Sequence, residues 1–176
     1  RQLLAEEISH LAVGDPRDET VIVGPLIDSR AADRVVSWID EAQKAGAEIV
    51  IAGRREGNVL APTVLSRPPE TCNIVREEVF GPVLNLFGYR DLDGAIAAIN
   101  RSRYGLQAGV FTDSIRVSRH VVDELDAGGI LINEVPTYRA DHAPYGGVKE
   151  SGLGREGVRY AMEEYSERKT VISHRG

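Results

Sequence analysis

The chain has 176 residues, of which 42% are hydrophobic and 27% are charged, and these proportions exclude a disordered, collagen-like or coiled-coil protein. Its 21 basic and 27 acidic residues give a net charge of −6, which argues against nucleic acid or an anionic membrane as the main partner. The single cysteine excludes an internal disulfide and favours a cytoplasmic protein. No apolar run approaches the roughly 20 residues that span a bilayer, and the length favours one domain.

The first half of the sequence contains two predicted helices followed by two predicted strands. Apolar residues at helical spacing predict helices over residues 2–11 and 29–45. The apolar run over residues 49–53 predicts a buried strand. Residues 59–65 contain Pro62, which cannot donate a backbone hydrogen bond, so this strand is predicted to be bent or to lie at a sheet edge.

The second half alternates strands and helices. We predict strands over residues 83–89, 107–112 and 130–133, with helices over 92–103 and 114–125. Each helix follows an aspartate, Asp91 or Asp113, a residue type that caps helix N-termini. This β-α-β-α-β order predicts an α/β fold with a parallel core sheet and right-handed crossovers. A long loop from Val135 to Gly152, a helix over 155–165 and a last strand over 169–174 are predicted to follow.

A glycine motif opens the last predicted helix. Residues Gly152 to Gly157 spell G-x-G-x-x-G, but the dinucleotide fingerprint needs a buried strand directly before it. Residues 145–151 do not form such a strand pattern, so a tight loop with close helix packing is the favoured interpretation. A generic nucleotide-binding domain based on this motif is therefore a weak alternative.

Cysteine and histidine supply few candidates for catalysis. A catalytic thiol needs a neighbouring base, cation or helix N-terminus, and Cys72 has no nearby histidine in sequence. We predict that Cys72 is a small apolar core residue. The four histidines, at positions 10, 120, 142 and 174, lack metal-ligand spacing.

The hexapeptide from Glu77 to Pro82 is more informative. It places two carboxylates and Phe80 beside Gly81-Pro82, a pair that forces a bend. A carboxylate can accept hydrogen bonds from a ribose diol, and an aromatic ring can lie against nicotinamide. From the residues alone, a helix-to-strand turn with one packed phenylalanine is an equal alternative.

The long loop carries Arg139, Asp141 and His142. One interpretation is a solvated charge cluster, and the other is a loop that binds an anionic substrate group through Arg139 and His142. Composition does not decide between them.

Several ordered motifs resemble the C-terminal half of the NAD(P)-dependent aldehyde dehydrogenase catalytic domain. The similarity extends from about Leu11 to Val171 and is carried by residues 13–16, 24–27, 77–82, 104–111, 144–152, 164–165 and 169–171. The resemblance implies part of an α/β catalytic domain over residues 1–168, without the N-terminal cofactor domain and the nucleophile segment, and an oligomerisation strand or tail over 169–176. We accordingly expect a homo-oligomer.

The resemblance also implies site roles. The carboxylate at Glu78 binds the nicotinamide ribose of NAD or NADP, and the ring at Phe80 contacts the nicotinamide. By the same resemblance, the loop before Pro144 is expected to line the substrate entrance. The sequence of this loop resembles the family branch that acts on lactaldehyde and phosphonoacetaldehyde. Arg139 and His142 are thus predicted to bind a small polar or anionic aldehyde.

In this family a cysteine thiolate attacks the aldehyde, hydride passes to the nicotinamide, and a glutamate-activated water hydrolyses the thioester. In the family, the nucleophilic cysteine and the glutamate lie upstream of the segment that this chain resembles, which begins at Arg1. No catalytic residue is therefore assigned in this chain. We expect a fragment of a longer enzyme that is inactive alone. The alternative is a non-catalytic interaction or oligomerisation module that retains the fold.

Overall fold

The computed structural model describes residues 1–176, which divide into two units, Arg1–Gly88 and Tyr89–Gly176. Each unit has its own cluster of buried apolar side chains. The length of the chain predicted one domain. Length and composition do not show that the buried apolar residues form two separate clusters along the sequence. None of the helices has the length and apolar content needed to cross a membrane.

The first unit contains three helices and five strands. Its helices are α1 (Gln2–Ser9), α2 (Ser29–Lys44) and α3 (Asn73–Arg76). Its strands are β1 (Glu48–Ile51), β2 (Arg55–Glu56), β3 (Val59–Leu60), β4 (Thr63–Ser66) and β5 (Val83–Leu86). The order in the main sheet is β1-β4-β5, with β1 antiparallel and β5 parallel to β4, while β2 and β3 form an antiparallel pair.

The strand over residues 59–65 was predicted to be bent or to lie at a sheet edge; it is interrupted at Pro62, and its second part is not at an edge. Residues 59–65 separate into β3 and β4, and β4 is the central strand of the sheet, with all four of its residues buried. Pro62 lies between the two strands, where its missing N–H removes no hydrogen bond from the sheet. The following residue, Thr63, donates its N–H to the carbonyl of Pro82 at 2.9 Å.

Helix α2 packs on this sheet through one apolar stripe. The residues buried along it are Ala32, Val35, Ile39 and Ala42, whose spacing matches the predicted helical face. Its N-cap is Asp28, which accepts a hydrogen bond from the N–H of Ala31 at 2.7 Å. That bond lowers the pKa of the Asp28 carboxyl, as expected for a carboxylate at a helix N-terminus.

The second unit contains three helices and four strands. The helices are α4 (Leu92–Asn100), α5 (Ile115–Glu124) and α6 (Val158–Glu164). The strands are β6 (Tyr104–Gly105), β7 (Gln107–Val110), β8 (Gly129–Ile132) and β9 (Val148–Lys149). Strands β7 and β8 are parallel and are joined through α5, whereas β6 and β9 are antiparallel. The α/β fold with parallel strands is confirmed. Of the three strands predicted to form the parallel core sheet, the first, β5, pairs with β4 of the first unit.

Two predicted helix starts had different outcomes. Asp91 caps α4 as predicted, because its side chain accepts a hydrogen bond from the N–H of Gly94 at 2.7 Å. Helix α5 is capped by Ser114 rather than Asp113, since the Ser114 hydroxyl accepts from the N–H of Val117 at 3.3 Å. Aspartate and serine cap about equally well, so residue type alone does not separate two adjacent candidates.

The C-terminal residues 166–176 have no regular secondary structure. The strand predicted over residues 169–174 is therefore not formed within the chain. A strand needs a neighbouring backbone to complete its hydrogen bonds, and none of the chain's own strands pairs with this segment. Its role in oligomerisation stays a prediction.

Candidate cofactor site

The bend from Glu77 to Pro82 connects α3 to the edge strand β5. Both predicted side chains of the bend, Glu78 and Phe80, are exposed, and 73% of Phe80 is accessible to solvent. The Glu78 carboxylate makes no hydrogen bond or ion pair within the chain. Two groups predicted to face a ligand are thus presented at the surface, two residues apart.

Phe80 adopts an unusual backbone conformation, with φ of 47°. This left-handed region is disfavoured for bulky residues, which adopt it chiefly where the surrounding structure enforces it. The following residue fits tightly against α2, because a Cβ added at Gly81 would lie 3.1 Å from a methyl carbon of Val35. The strained residue and the close approach together fix the direction in which the Phe80 ring projects.

Arg34 on α2 holds the bend from the other side. Its Nη2 donates a hydrogen bond to the carbonyl of Val79 at 2.8 Å, and its guanidinium lies 4.5 Å from the centroid of the Trp38 ring, a favourable cation–π distance. The sequence analysis did not single out Arg34. Its spacing of four residues from Trp38 places both residues on one helix face, which is a sequence signal for the stacking. The bond to Val79 joins residues 45 positions apart, and no local sequence pattern indicates it.

A cleft of about 640 Å³ opens beside this bend. Its walls are the loop over residues 22–27, Ala31 and Arg34 of α2, and Phe80 to Pro82. The cleft is open to solvent, and its lining is mostly apolar with one cation, Arg34. Phe80 and Arg34 line the cleft, whereas Glu78 is not among the lining residues.

The environment of Cys72 suits a core residue. The side chain belongs to the cluster beneath α2 and is only 3% exposed. Burial, and to a smaller extent the negative charge of Glu41, raises the pKa of the Cys72 thiol. A raised pKa disfavours the thiolate that nucleophilic attack requires.

We expect Cys72 to resist alkylation in the folded protein. At pH 8 the thiol should react with iodoacetamide at least about tenfold more slowly than free cysteine, because burial disfavours the thiolate and blocks access. The rate can be followed by intact mass, with the urea-unfolded chain as the control for full reactivity. Equal rates in the folded and unfolded protein would show that Cys72 is accessible.

Arg139 and His142, the predicted substrate residues, lie in the second unit but have different surroundings. Arg139 donates to Glu156 Oε2 at 2.7 Å, and its guanidinium lies 4.5 Å from the centroid of the Tyr145 ring. His142 is exposed and lines a cleft of about 600 Å³ beside α6. Arg139 is not among the residues of that cleft. Sequence reasoning missed both partners of Arg139.

The glycine motif from Gly152 to Gly157 has a packing role. A Cβ added at Gly154 would lie 2.9 Å from the carboxylate carbon of Glu164, which in turn accepts a hydrogen bond from the N–H of Arg155 at 3.1 Å. The end of the Glu164 side chain can move, but at Gly157, where φ is 116°, a Cβ would lie 3.0 Å from the backbone oxygen of Ala143. The motif therefore permits a tight loop and close packing, in agreement with the favoured interpretation. No group of three or more His, Cys, Asp or Glu side chains is placed to hold a metal ion.

The family model for the aldehyde dehydrogenase family matches residues 1–171. The chain therefore belongs to the aldehyde dehydrogenase family. It is 41% identical to the 3-sulfolactaldehyde dehydrogenase of Priestia aryabhattai, covering 96% of this chain and 35% of the relative. It is 44% identical to a lactaldehyde dehydrogenase of Methanococcus maripaludis, covering 96% of this chain and 36% of the relative.

A solved structure shows the same fold. The glyceraldehyde-3-phosphate dehydrogenase of Methanocaldococcus jannaschii, complexed with NADP, superposes with a TM-score of 0.89 at 36% identity. The superposition covers 94% of this chain and 36% of that chain. The present chain thus spans about a third of the length of the relatives that it matches.

Proposed function

We propose that the chain is part of an enzyme that oxidises an aldehyde to a carboxylic acid with NAD or NADP. The observation that carries this proposal is the bend at residues 77–82, where Glu78 and Phe80 are exposed and Phe80 lines a cleft. Membership of the aldehyde dehydrogenase family supports it. So does the presence of NADP in a structurally similar relative.

The residues of the bend fit a nicotinamide nucleoside. The Glu78 carboxylate is free to accept hydrogen bonds from two ribose hydroxyls, and charge-assisted bonds of this kind are the stronger ones. The exposed Phe80 ring offers a flat apolar surface for the nicotinamide. Arg34 is a positioning residue, since it holds the backbone between these two side chains. When bound, the cofactor supplies the hydride acceptor.

We further propose a small polar or anionic aldehyde as substrate. Two relatives are named for lactaldehyde and sulfolactaldehyde, and both aldehydes carry polar or charged groups. His142 is exposed in a cleft beside α6, where it is accessible to such a group. We also propose a cytoplasmic homo-oligomer assembled through residues 169–176.

The chain supplies the cofactor face and not the nucleophile. Its only thiol, Cys72, is buried with a raised pKa, so it is unsuited to form a thioester. We therefore expect the isolated 176-residue chain to oxidise no aldehyde. The alternative function, an interaction or oligomerisation module, has no specific observation in its favour.

The test compares the full-length protein with the isolated chain. With NAD or NADP and a panel containing lactaldehyde, a sulfonated aldehyde and propanal, the full-length protein should form reduced cofactor, whereas the isolated chain should form none. A Cys72→Ala change in the full-length protein should leave kcat within about twofold, since the thiol is not in the chemistry. A full-length protein that binds neither cofactor would favour the non-catalytic module.

A further inference from the structure

Arg139 is held by two contacts of different kinds. The first is a hydrogen-bonded ion pair with Glu156, at 2.7 Å, and the second is the stacking of the guanidinium over Tyr145. About half of the Arg139 side chain remains exposed. The planar guanidinium is suited to both contacts at once, which a lysine ammonium is not.

The two partners of Arg139 are themselves joined through the backbone. The N–H of Tyr145 donates to the carbonyl of Glu156 at 3.0 Å, and the N–H of Glu156 donates to the carbonyl of Tyr145 at 2.6 Å. These reciprocal bonds form an antiparallel bridge between segments eleven residues apart. Arg139 therefore contacts two side chains whose backbones are paired with each other.

Three contacts hold the bridge and its neighbouring residues against the rest of the second unit. Arg155, next to Glu156, donates from its guanidinium to the carbonyl of Gly147 at 2.9 Å. Gly146, next to Tyr145, packs so closely on Gly128 that no side chain fits between them. The hydroxyl of Ser151 accepts a hydrogen bond from the N–H of Gly105 at 2.9 Å. Arg139 thus links the loop over residues 133–143 to a fixed support.

We propose that Arg139 is a positioning residue, which clamps the loop over residues 133–143 onto the Tyr145–Glu156 bridge and so shapes the substrate entrance. This inference rests on the proposed function for its effect on substrates. It differs from a direct grip on an anionic substrate, because Nη2 of Arg139 already donates to the carboxylate of Glu156, whose negative charge offsets the positive charge of the guanidinium. The clamp acts equally on charged and neutral aldehydes.

The first readout is amide hydrogen exchange in the full-length protein, which is independent of activity. Arg139→Ala should speed exchange over residues 137–143 about five- to tenfold, because it removes both the ion pair and the stacking. Glu156→Gln should speed it about two- to fivefold, because only the ion pair is weakened. Asp93→Asn is the matched control, since it removes the carboxylate of another surface pair, that with His120, and it should leave this segment unchanged.

The second readout is KM for two aldehydes of equal chain length, one neutral and one carrying a carboxylate. The clamp predicts that Arg139→Ala and Glu156→Gln raise both KM values by similar factors, and that the double variant resembles Arg139→Ala alone. A direct grip predicts that Arg139→Ala raises KM only for the charged aldehyde, while Glu156→Gln lowers it. That pattern, or unchanged exchange in Arg139→Ala, would overturn the clamp. If the wild-type protein oxidises no aldehyde, the proposed function fails, and the exchange result still decides on the clamp.

Discussion

The Glu78→Gln variant of the full-length protein is expected to bind NAD and NADP about tenfold more weakly than the wild type. The amide has the shape of the carboxylate but lacks its charge and replaces one acceptor oxygen by a donor. The loss corresponds to about 1.4 kcal/mol, within the range for hydrogen bonds to charged groups. Kd from quenching of protein fluorescence, together with KM for the cofactor, measures the effect.

Glu77→Gln is the matched control for this prediction. It makes the same chemical change one residue earlier, on a half-buried side chain that already interacts within the chain. We expect it to leave Kd for the cofactor within about twofold, since surface pairs contribute little. Equal weakening by Glu77→Gln and Glu78→Gln would mean that the net charge of the bend matters, and that Glu78 has no specific role.

The elements that the sequence predicted well are those defined by local patterns. The stripe on α2 and the cap at Asp91 each depend on residues within one or a few turns of helix, and both are present. The bend at Gly81-Pro82 is equally local. Phe80 is exposed and has a positive φ, so its ring is not packed inside the chain, and neither property follows from the hexapeptide itself. Its contact with a nicotinamide stays a prediction.

The features that sequence reasoning missed depend on contacts between distant residues. Strand β4 is central because β1 and β5 pair with its two edges, and no property of residues 63–66 alone specifies those neighbours. The bond from Arg34 to Val79 spans 45 positions, and that from Arg139 to Glu156 spans 17. Arg139 was predicted to bind an anionic substrate group. A guanidinium binds a carboxylate of the same chain equally well, and here it donates to Glu156.

The Gly128→Ala variant is expected to have the largest effect on stability in the second unit. A Cβ at this position would lie 2.8 Å from the carbonyl carbon of Gly146 and closer still to its oxygen. Because the obstructing atoms are backbone, no rotamer change relieves the clash. We expect a loss of about 3 kcal/mol or more, at the upper end for overpacking, in the local free energy of unfolding of β8, measured by amide exchange in the full-length protein.

Gly88→Ala is the matched control, because a Cβ there meets no heavy atom within 4 Å. It should change the local free energy of unfolding by about 0.5 kcal/mol or less. The Gly128→Ala change should also speed exchange at Tyr145 to Lys149, since Gly146 must move to admit the methyl group. If β8 keeps its wild-type protection against amide exchange in Gly128→Ala, the carbonyl of Gly146 moves aside without a loss of stability. The support on which Arg139 acts would then not be rigid, and the clamp would lose its physical basis.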